Sequence, residues 1–293
     1  MSETRTVAVL GASSGIGAAL AQALIDDGHR LFVGARRVER LARLTDNGRL
    51  AAYAAVDVSD EAQVRAFFER VAATFGSLDA LVVCAGSYGP IGAFHTMAPE
   101  AWWSAVRANL FGTCAAVRYA VPLMRAERRP RIITFSGGGA FAPLPRYSAY
   151  AVSKAGIVRF TETIAAELAP LGITVNGVAP GFVRSEIHGA TLAAGPEAAG
   201  AEFYEMTRRK LEEGAVPVEV PVACVRFLLS RQADGLTGKT ISASFDPWRH
   251  PAFANAIPEI NASDLYTMQR INLVHLDGGP LKQALERADG GNR

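Results

Sequence analysis

Tyr150 and Lys154 stand four residues apart in Tyr-Ala-Val-Ser-Lys, a spacing that puts both side chains on one face at the start of a helix. Free tyrosine has a pKa of about 10 and is a poor acid–base at neutral pH. A neighbouring ammonium group favours the phenolate and lowers that value. Tyr150 can then exchange a proton with a carbonyl or carbinol oxygen while a hydride moves. Tyr/Lys pairs at this spacing are also common on purely structural helices, so this one draws its weight from its position after a fifth strand.

A second constellation lies near the start of the chain. The apolar run Thr6–Leu10 leads straight into Gly11-Ala-Ser13-Ser14-Gly15-Ile16-Gly17, and Ile16, Leu20, Ala23 and Leu24 then share one helical face. Gly11 lets the chain turn off the strand, Gly15 lets backbone approach a pyrophosphate, and Gly17 lets the helix pack close to the sheet. The helix N-terminus offers N–H groups and a positive dipole end to phosphates. Tight strand–helix turns also use glycine, and the spacing differs from the G-x-G-x-x-G fingerprint. The strand before it, the helix after it and its place in the first βαβ unit favour a dinucleotide loop.

The residues after the second strand bear on which dinucleotide. An acid there would accept from a ribose 2′-hydroxyl, whereas arginine accommodates a 2′-phosphate. The chain has Ala35-Arg36-Arg37 and no acid. NADP(H) is therefore expected over NAD(H), which stays possible, with Arg36 favoured as the phosphate clamp. The alternative is that both arginines simply face water. Asp57, with Val58 beside it, follows the third strand and is placed to accept from the adenine amino group.

These residues need elements to position them. Strands are expected at Thr6–Leu10, Leu31–Ala35, Leu50–Val58, Ala80–Val83, Arg131–Phe135, Ile173–Val178 and Lys239–Phe245. Between them fall helical patterns: one after Gly15, stopped by Gly28; one on Val38, Leu41 and Leu44, ending near Gly48; one capped by Ser59 and closed by Gly76; a long one from Pro99 to Met124; and one from Tyr150 to Leu168. Alternation of this kind implies right-handed βαβ crossovers, hence a doubly wound parallel α/β sheet with helices on both faces. The economical division is one domain over 1–245 and an extension over 246–293. The Gly/Ala-rich segment 184–217, with a short helix at Phe203–Leu211, reads as a lid beside a ligand site or as a plain surface excursion. The proline-bearing extension is expected to wrap the core or a neighbouring subunit, with its last dozen residues disordered.

Taken in order, the glycine loop, Asn109, Tyr150/Lys154 and Pro180-Gly181 resemble the single-domain branch of the short-chain dehydrogenase/reductase family, over about residues 5–245. The resemblance implies a Rossmann-like seven-stranded sheet and an oxidoreductase using a nicotinamide cofactor. It makes Tyr150 the acid–base and gives Lys154 two tasks, lowering the tyrosine pKa and binding ribose. It has Asn109 hold a water that links the lysine to solvent. It also implies that Ala85 and Gly86 floor the cofactor, and that Pro180, Gly181 and Val183 seat the carboxamide, with Ser185 where a threonine is usual.

Three departures matter. Cys84 stands in Val-Cys-Ala-Gly where the family has Asn-Asn-Ala-Gly. The catalytic serine expected thirteen positions before Tyr150 is Gly137. Its neighbour Ser136 could serve only if a bulge in Gly137-Gly138-Gly139 re-aimed it, because strand alternation points it to the other face. Otherwise a water, a backbone N–H or the substrate's own hydroxyl must help. Third, Ser244-Phe245-Asp246-Pro247-Trp248 replaces the usual ending.

A carbonyl/alcohol oxidoreductase acting on a small molecule is the leading expectation. Phe245-Asp-Pro-Trp248 and the segment 263–270 resemble members linked to sugar or polysaccharide pathways. A nucleotide sugar is thus a second possibility, its phosphates meeting Arg184, His188, Arg208 and Arg209. A cofactor-binding regulator with weak catalysis, suggested by Gly137, is a third. The formal net charge of +2 and the absence of a long basic block give no reason to expect nucleic acid. Scattered histidines and three distant cysteines suggest no metal site and reduced thiols in a cytoplasm. No signal peptide or apolar stretch of roughly 20 residues is present to imply a membrane. A homodimer or homotetramer is expected, with Trp102, Trp103 and Phe111 serving either core or interface.

Overall fold

The computed structural model describes residues 4–45 and 50–270. Seven apolar runs become strands: β1 (Thr6–Leu10), β2 (Arg30–Ala35), β3 (Leu50–Ala55), β4 (Ala80–Val83), β5 (Arg131–Phe135), β6 (Thr174–Ala179) and β7 (Thr240–Ser242). They form one parallel sheet in the order β3-β2-β1-β4-β5-β6-β7. The order reverses between β1 and β4, and in such sheets a crevice for ligands opens at the carboxyl ends of those two strands.

The helices are α1 (Gly15–Asp26), α2 (Val38–Leu41), α3 (Glu61–Phe75), α4 (Pro99–Val106), α5 (Gly112–Ala120) and α6 (Ser148–Leu168), followed by α7 (Glu186–Ala199), α8 (Ala201–Glu213), α9 (Glu219–Leu229), α10 (Pro251–Asn255) and α11 (Ile257–Ala262). Strand alternation divides the core between the two faces. Val7, Val9, Ala80, Val82 and Ile133 point toward α1 and α9, against Leu20, Leu24, Val225 and Leu228. Ala8, Leu10, Leu81, Val83 and Ile132 point the other way, onto Phe67 and Phe68 of α3, Ala116 of α5 and Ile164 of α6. Sheet and helices together form the doubly wound Rossmann-type fold.

The segment after β7 wraps the core of this chain. Trp248, Phe253, Ile257 and Ile260 are buried in the α1/α9 layer, and the Trp248 indole N–H donates to the Ala243 carbonyl at 3.1 Å. The Thr240 amide donates to the Tyr266 carbonyl, giving the edge strand β7 a hydrogen-bonding neighbour. The expected end of the second helix near Gly48 and the final dozen residues lie outside the described residues.

Several boundaries differ from expectation. β3 stops at Ala55 rather than Val58, because the Asp57 amide turns to the Gln63 side chain as the chain enters α3. The cap of α3 is Asp60, whose carboxylate accepts from the Ala62 and Gln63 amides. Ser59 instead donates through its hydroxyl to Asp57 at 2.7 Å. The long helix from Pro99 is broken by a π-helical stretch, Arg107–Phe111, and α5 tightens into a 3₁₀ turn at Val121–Leu123, where Pro122 cannot continue the ladder. β7 is shorter than expected, since Asp246 folds back to accept the Ser242 amide. The segment 184–217, expected as a lid or a surface excursion, holds two helices, not one. Its alanines favour helix, and its glycines mark the breaks: Gly195 at a kink and Gly200, with φ of 83°, between α7 and α8.

Candidate active site

The glycine loop is fixed by close approach. A Cβ on Gly11 would fall 2.5 Å from the Ala85 amide nitrogen, and one on Gly17 would fall 2.3 Å from the Gly11 carbonyl oxygen. Loop, β4 end and helix α1 therefore pack backbone against backbone. Gly15 takes a positive φ of 55° and faces Ser185, whose Cβ would stand 3.3 Å from a Cβ on Gly15. Ser14 occupies the N-cap of α1 without a side-chain capping bond. Its hydroxyl accepts instead from the Arg37 guanidinium at 2.8 Å, and Ser13 lies 3.4 Å from the same group.

That placement distinguishes the two arginines. Arg37 reaches the loop, whereas Arg36, the favoured clamp from sequence, is exposed and has no hydrogen-bond or ion-pair partner among the described residues. The chain leaves β2 at this point, so period-two alternation no longer told which side chain would turn inward. Asp57 is half-buried, and its carboxylate accepts from both the amide and hydroxyl of Ser59. Val58 is buried beside it, against Gly112.

At the far end of the crevice, α6 delivers Tyr150 in its first turn, where the helix dipole is positive. Lys154, one turn on, donates from Nζ to the Phe135 carbonyl at 2.9 Å, and its ammonium lies 5.6 Å from the Tyr150 ring centroid. Burial pulls the lysine pKa down to about 8. Burial pushes the Tyr150 phenol up from its ordinary value, the reverse of the expected lowering. The lysine touches a carbonyl rather than the phenol, so its charge does not offset desolvation.

The π-helical stretch presents Asn109, fully buried. Its amide spans the Ser87 backbone, accepting from the N–H and donating to the C=O, both at 2.8 Å, and donates to Ser153 Oγ at 3.0 Å. Such bulges recur at functional sites because they re-aim a side chain and free a carbonyl; the Asn109 carbonyl here accepts from Thr113 Oγ1. A Cβ on Gly86 would stand 3.2 Å from Asn109 Oδ1 and 3.7 Å from Lys154 Nζ. Gly86 thus joins the exit of β4 to the π-helical stretch and to α6. Cys84, next to Gly17, is a thiol that burial pushes up to about 12.

Gly137 lies directly against the tyrosine. A Cβ there would fall 2.2 Å from Tyr150 Oη, so the phenol already occupies the space a serine would need. Ser136 is buried with its hydroxyl 3.4 Å from the Val178 carbonyl, on the neighbouring strand β6. No re-aiming bulge brings it to Tyr150.

Sequence reasoning missed the aromatic surround. Tyr88 packs edge-on to Tyr150 at 4.8 Å and to Tyr147 at 5.0 Å. Its hydroxyl shares a 2.9 Å hydrogen bond with His188 Nδ1, and His188 stacks on Phe182 at 3.8 Å. Ile187 of α7, and Phe203 and Tyr204 of α8, close over this cluster. Burial lowers the His188 pKa to about 4, so the ring is neutral at working pH. The only hint in sequence was Tyr147, three residues before Tyr150, which is the N-cap residue at the start of α6. Pro180 and Gly181 lead from β6 to this cover, with Gly181 at a φ of 77°, and Val183 pairs with Val216.

The model of the short chain dehydrogenase family matches residues 5–194. The chain belongs to this family. Cis-4-hydroxycyclohexanecarboxylate dehydrogenase of Sinomonas cyclohexanicum is 34% identical over 241 residues, covering 81% of this chain and 94% of the relative. 3beta-hydroxysteroid dehydrogenase 1 of Eggerthella lenta is 34% identical over 263 residues, covering 85% and 95%. Among solved structures, actinorhodin polyketide ketoreductase crystallised with NADPH superposes with a TM-score of 0.71 at 29% identity, covering 83% of this chain and 97% of that one. The short-chain dehydrogenase described here is therefore an oxidoreductase that binds a nicotinamide cofactor and acts on a small molecule. Among the described residues no helix is long and apolar enough to cross a membrane, and no group of three His, Cys, Asp or Glu could hold a metal ion.

Proposed function

We propose that this enzyme transfers hydride between NADP(H) and an apolar ketone or secondary alcohol, with Tyr150 as the proton donor or acceptor. The observation that carries this reading is the junction at Gly86, where the floor of the glycine-loop crevice meets Asn109 and Lys154 one helical turn from Tyr150.

The residues fit a dinucleotide. Gly11, Gly15 and Gly86 leave backbone uncovered along the crevice, Ser14 and Ile16 open α1 toward it, and Arg37 supplies a cation at its outer end. When bound, the cofactor supplies or accepts the hydride. Lys154 would hold the ribose side of the site, with Asn109 buried behind it as a brace on Ser87 and Ser153, while Pro180, Gly181, Val183 and Ser185 would form its opposite wall. Tyr150 holds the proton at its Oη for a carbonyl oxygen, or takes it from a carbinol. For that proton to leave, positive charge must counter the burial that raises the phenol. The α6 dipole is one source, and Lys154, which does not offset burial while its Nζ is held by the Phe135 carbonyl, becomes the other when it turns toward the phenol.

The cover argues for substrate class. Tyr88 packs against the Tyr150 ring, and Tyr147, Phe203, Tyr204 and the Phe182–His188 stack extend that aromatic surface, which suits an apolar and preferably cyclic ketone. Arg208 is bound to Glu205 and Glu212, Arg209 pairs with Glu213, and Arg184 donates to the Leu211 carbonyl. Those three do not converge on Tyr150, so a nucleotide-sugar substrate finds no support from them.

The domain division at residue 245, with 184–217 as a substrate lid, belongs to the same proposal, as does a cytoplasmic location. So does a homo-oligomer, supported by exposed Phe94 and Trp103 flanking Trp102 and read by light scattering at micromolar concentration. The test of function is fluorescence titration with NADPH and NADH, then a turnover screen of cyclic ketones against sugar nucleotides. NADPH binding at least tenfold tighter, with turnover of cyclic ketones alone, is expected. Equal affinities would remove the cofactor assignment, and turnover of sugar nucleotides alone would remove the substrate class.

A further inference from the structure

Glu186, the first residue of α7, sits between two arginines that belong to the cofactor side of the crevice. Its Oε2 accepts from Arg37 at 2.6 Å and its Oε1 from Arg40 at 2.5 Å. Arg37 simultaneously donates to Ser14 Oγ at 2.8 Å. The glycine loop, the exit of β2 and the lid are thus tied through one guanidinium. Hydrogen bonds from Arg40 and Arg37 hold the Glu186 carboxyl below the usual carboxylate range, so it is an anion throughout working pH.

An arginine after β2, bonded to the hydroxyls of the phosphate loop, is what a ribose 2′-phosphate would seek. In this chain the first lid residue already holds that arginine. We propose that Glu186 is an internal anion occupying the 2′-phosphate subsite of Arg37, Arg40 and Ser14, which NADP(H) displaces and NAD(H) does not.

Two consequences follow from the connectivity. A phosphate dianion meets both arginines more strongly than a carboxylate does, yet it must first break two exposed ion pairs, so Glu186 weakens NADP(H) binding without affecting NAD(H). Displacement also unties the start of α7, which carries Ile187 and His188 over Tyr88 and Tyr150. The phosphate of the cofactor is therefore coupled to the position of the lid, and by reciprocity an occupied lid changes affinity for NADP(H).

This inference rests on the NADP(H) reading above, and the experiment separates the two. NADPH and NADH are titrated by fluorescence into wild type, Glu186→Gln and Arg37→Ala, and hydrogen exchange is followed over 186–199 with each cofactor. Glu186→Gln is expected to tighten NADPH roughly three- to tenfold, as loss of two exposed ion pairs allows, and to leave NADH within twofold. In wild type NADPH, but not NADH, speeds exchange over 186–199, and in Glu186→Gln the two cofactors give the same pattern. If Glu186→Gln loosens NADPH, leaves it unchanged or shifts both cofactors alike, the displacement model is wrong while the NADP(H) reading stands, provided Arg37→Ala weakens NADPH selectively. If Arg37→Ala spares NADPH and wild type does not prefer it, both fail.

Discussion

Gly17 and Gly137 stand at opposite ends of one crevice, and neither leaves room for a Cβ. At Gly17 the obstacle is the Gly11 carbonyl at 2.3 Å, a backbone atom fixed by the β1–α1 turn. At Gly137 it is the Tyr150 phenol at 2.2 Å, the far end of a side chain that can swing. The first glycine is a condition of the fold. The second is a condition of where the Tyr150 hydroxyl, the proposed acid–base, sits. The proposed cofactor end is thus built from rigid backbone packing, and the proposed substrate end from side chains that a single substitution can rearrange.

Breaking the rigid end should have the larger effect. Gly17→Ala places a methyl inside van der Waals contact with backbone, a strain of about 1–3 kcal/mol. Affinity for NADPH is expected to fall by up to roughly a hundredfold in a fluorescence titration, along with a lower melting temperature. Gly137→Ala should leave the melting temperature within a few degrees and NADPH affinity within twofold. Its kcat should fall roughly 10- to 100-fold, because Tyr150 must vacate its place and the reacting oxygen loses an aligned partner. Gly137→Ser, which restores the family's usual residue, meets the same clash through its Cβ and should do no better. If the serine variant outpaced wild type, the account of Gly137 would be wrong.

The same contrast explains what could be read from the sequence. All seven strands, the glycine loop and the Tyr150/Lys154 pair were legible because local periodicity and turn chemistry dictate them. Arg37 was passed over for Arg36 because alternation fails once the chain leaves β2. The α7/α8 pair was hidden by glycines inside an alanine-rich run, and the π-helical break at Asn109 has no periodic signature. Tyr88 and His188, a hundred residues apart in sequence, meet only because α7 folds back over β4's exit. Nothing in the sequence near either announces the other, so the aromatic cover stayed invisible.

A smaller effect sharpens the comparison through pH. Lys154 has its pKa lowered to about 8 by burial, so it carries its charge below that value and loses it as pH rises. Reductive kcat/KM is expected to be level on the acid side and to decline through about pH 8. His188, lowered to about 4, is neutral across that range and should add no limb between pH 5 and 7. A profile with an inflection near 6.5 would mean that the histidine titrates in the site. The linked stability runs in the same window: with the native lysine pKa below its unfolded value, the penalty for burying the charge is full below about pH 8. It is relieved as pH rises toward about 10.4.

The central claim is that Tyr150 moves the proton while the rest of the crevice holds the cofactor. It is tested most directly by single-turnover oxidation of bound NADPH in Tyr150→Phe, on whichever ketone the wild type reduces. Binding of NADPH within twofold of wild type, with the hydride-transfer rate down at least a thousandfold, is the expected result. Transfer at close to the wild-type rate in Tyr150→Phe would contradict it, and would shift the search for the proton donor to Tyr88 and His188.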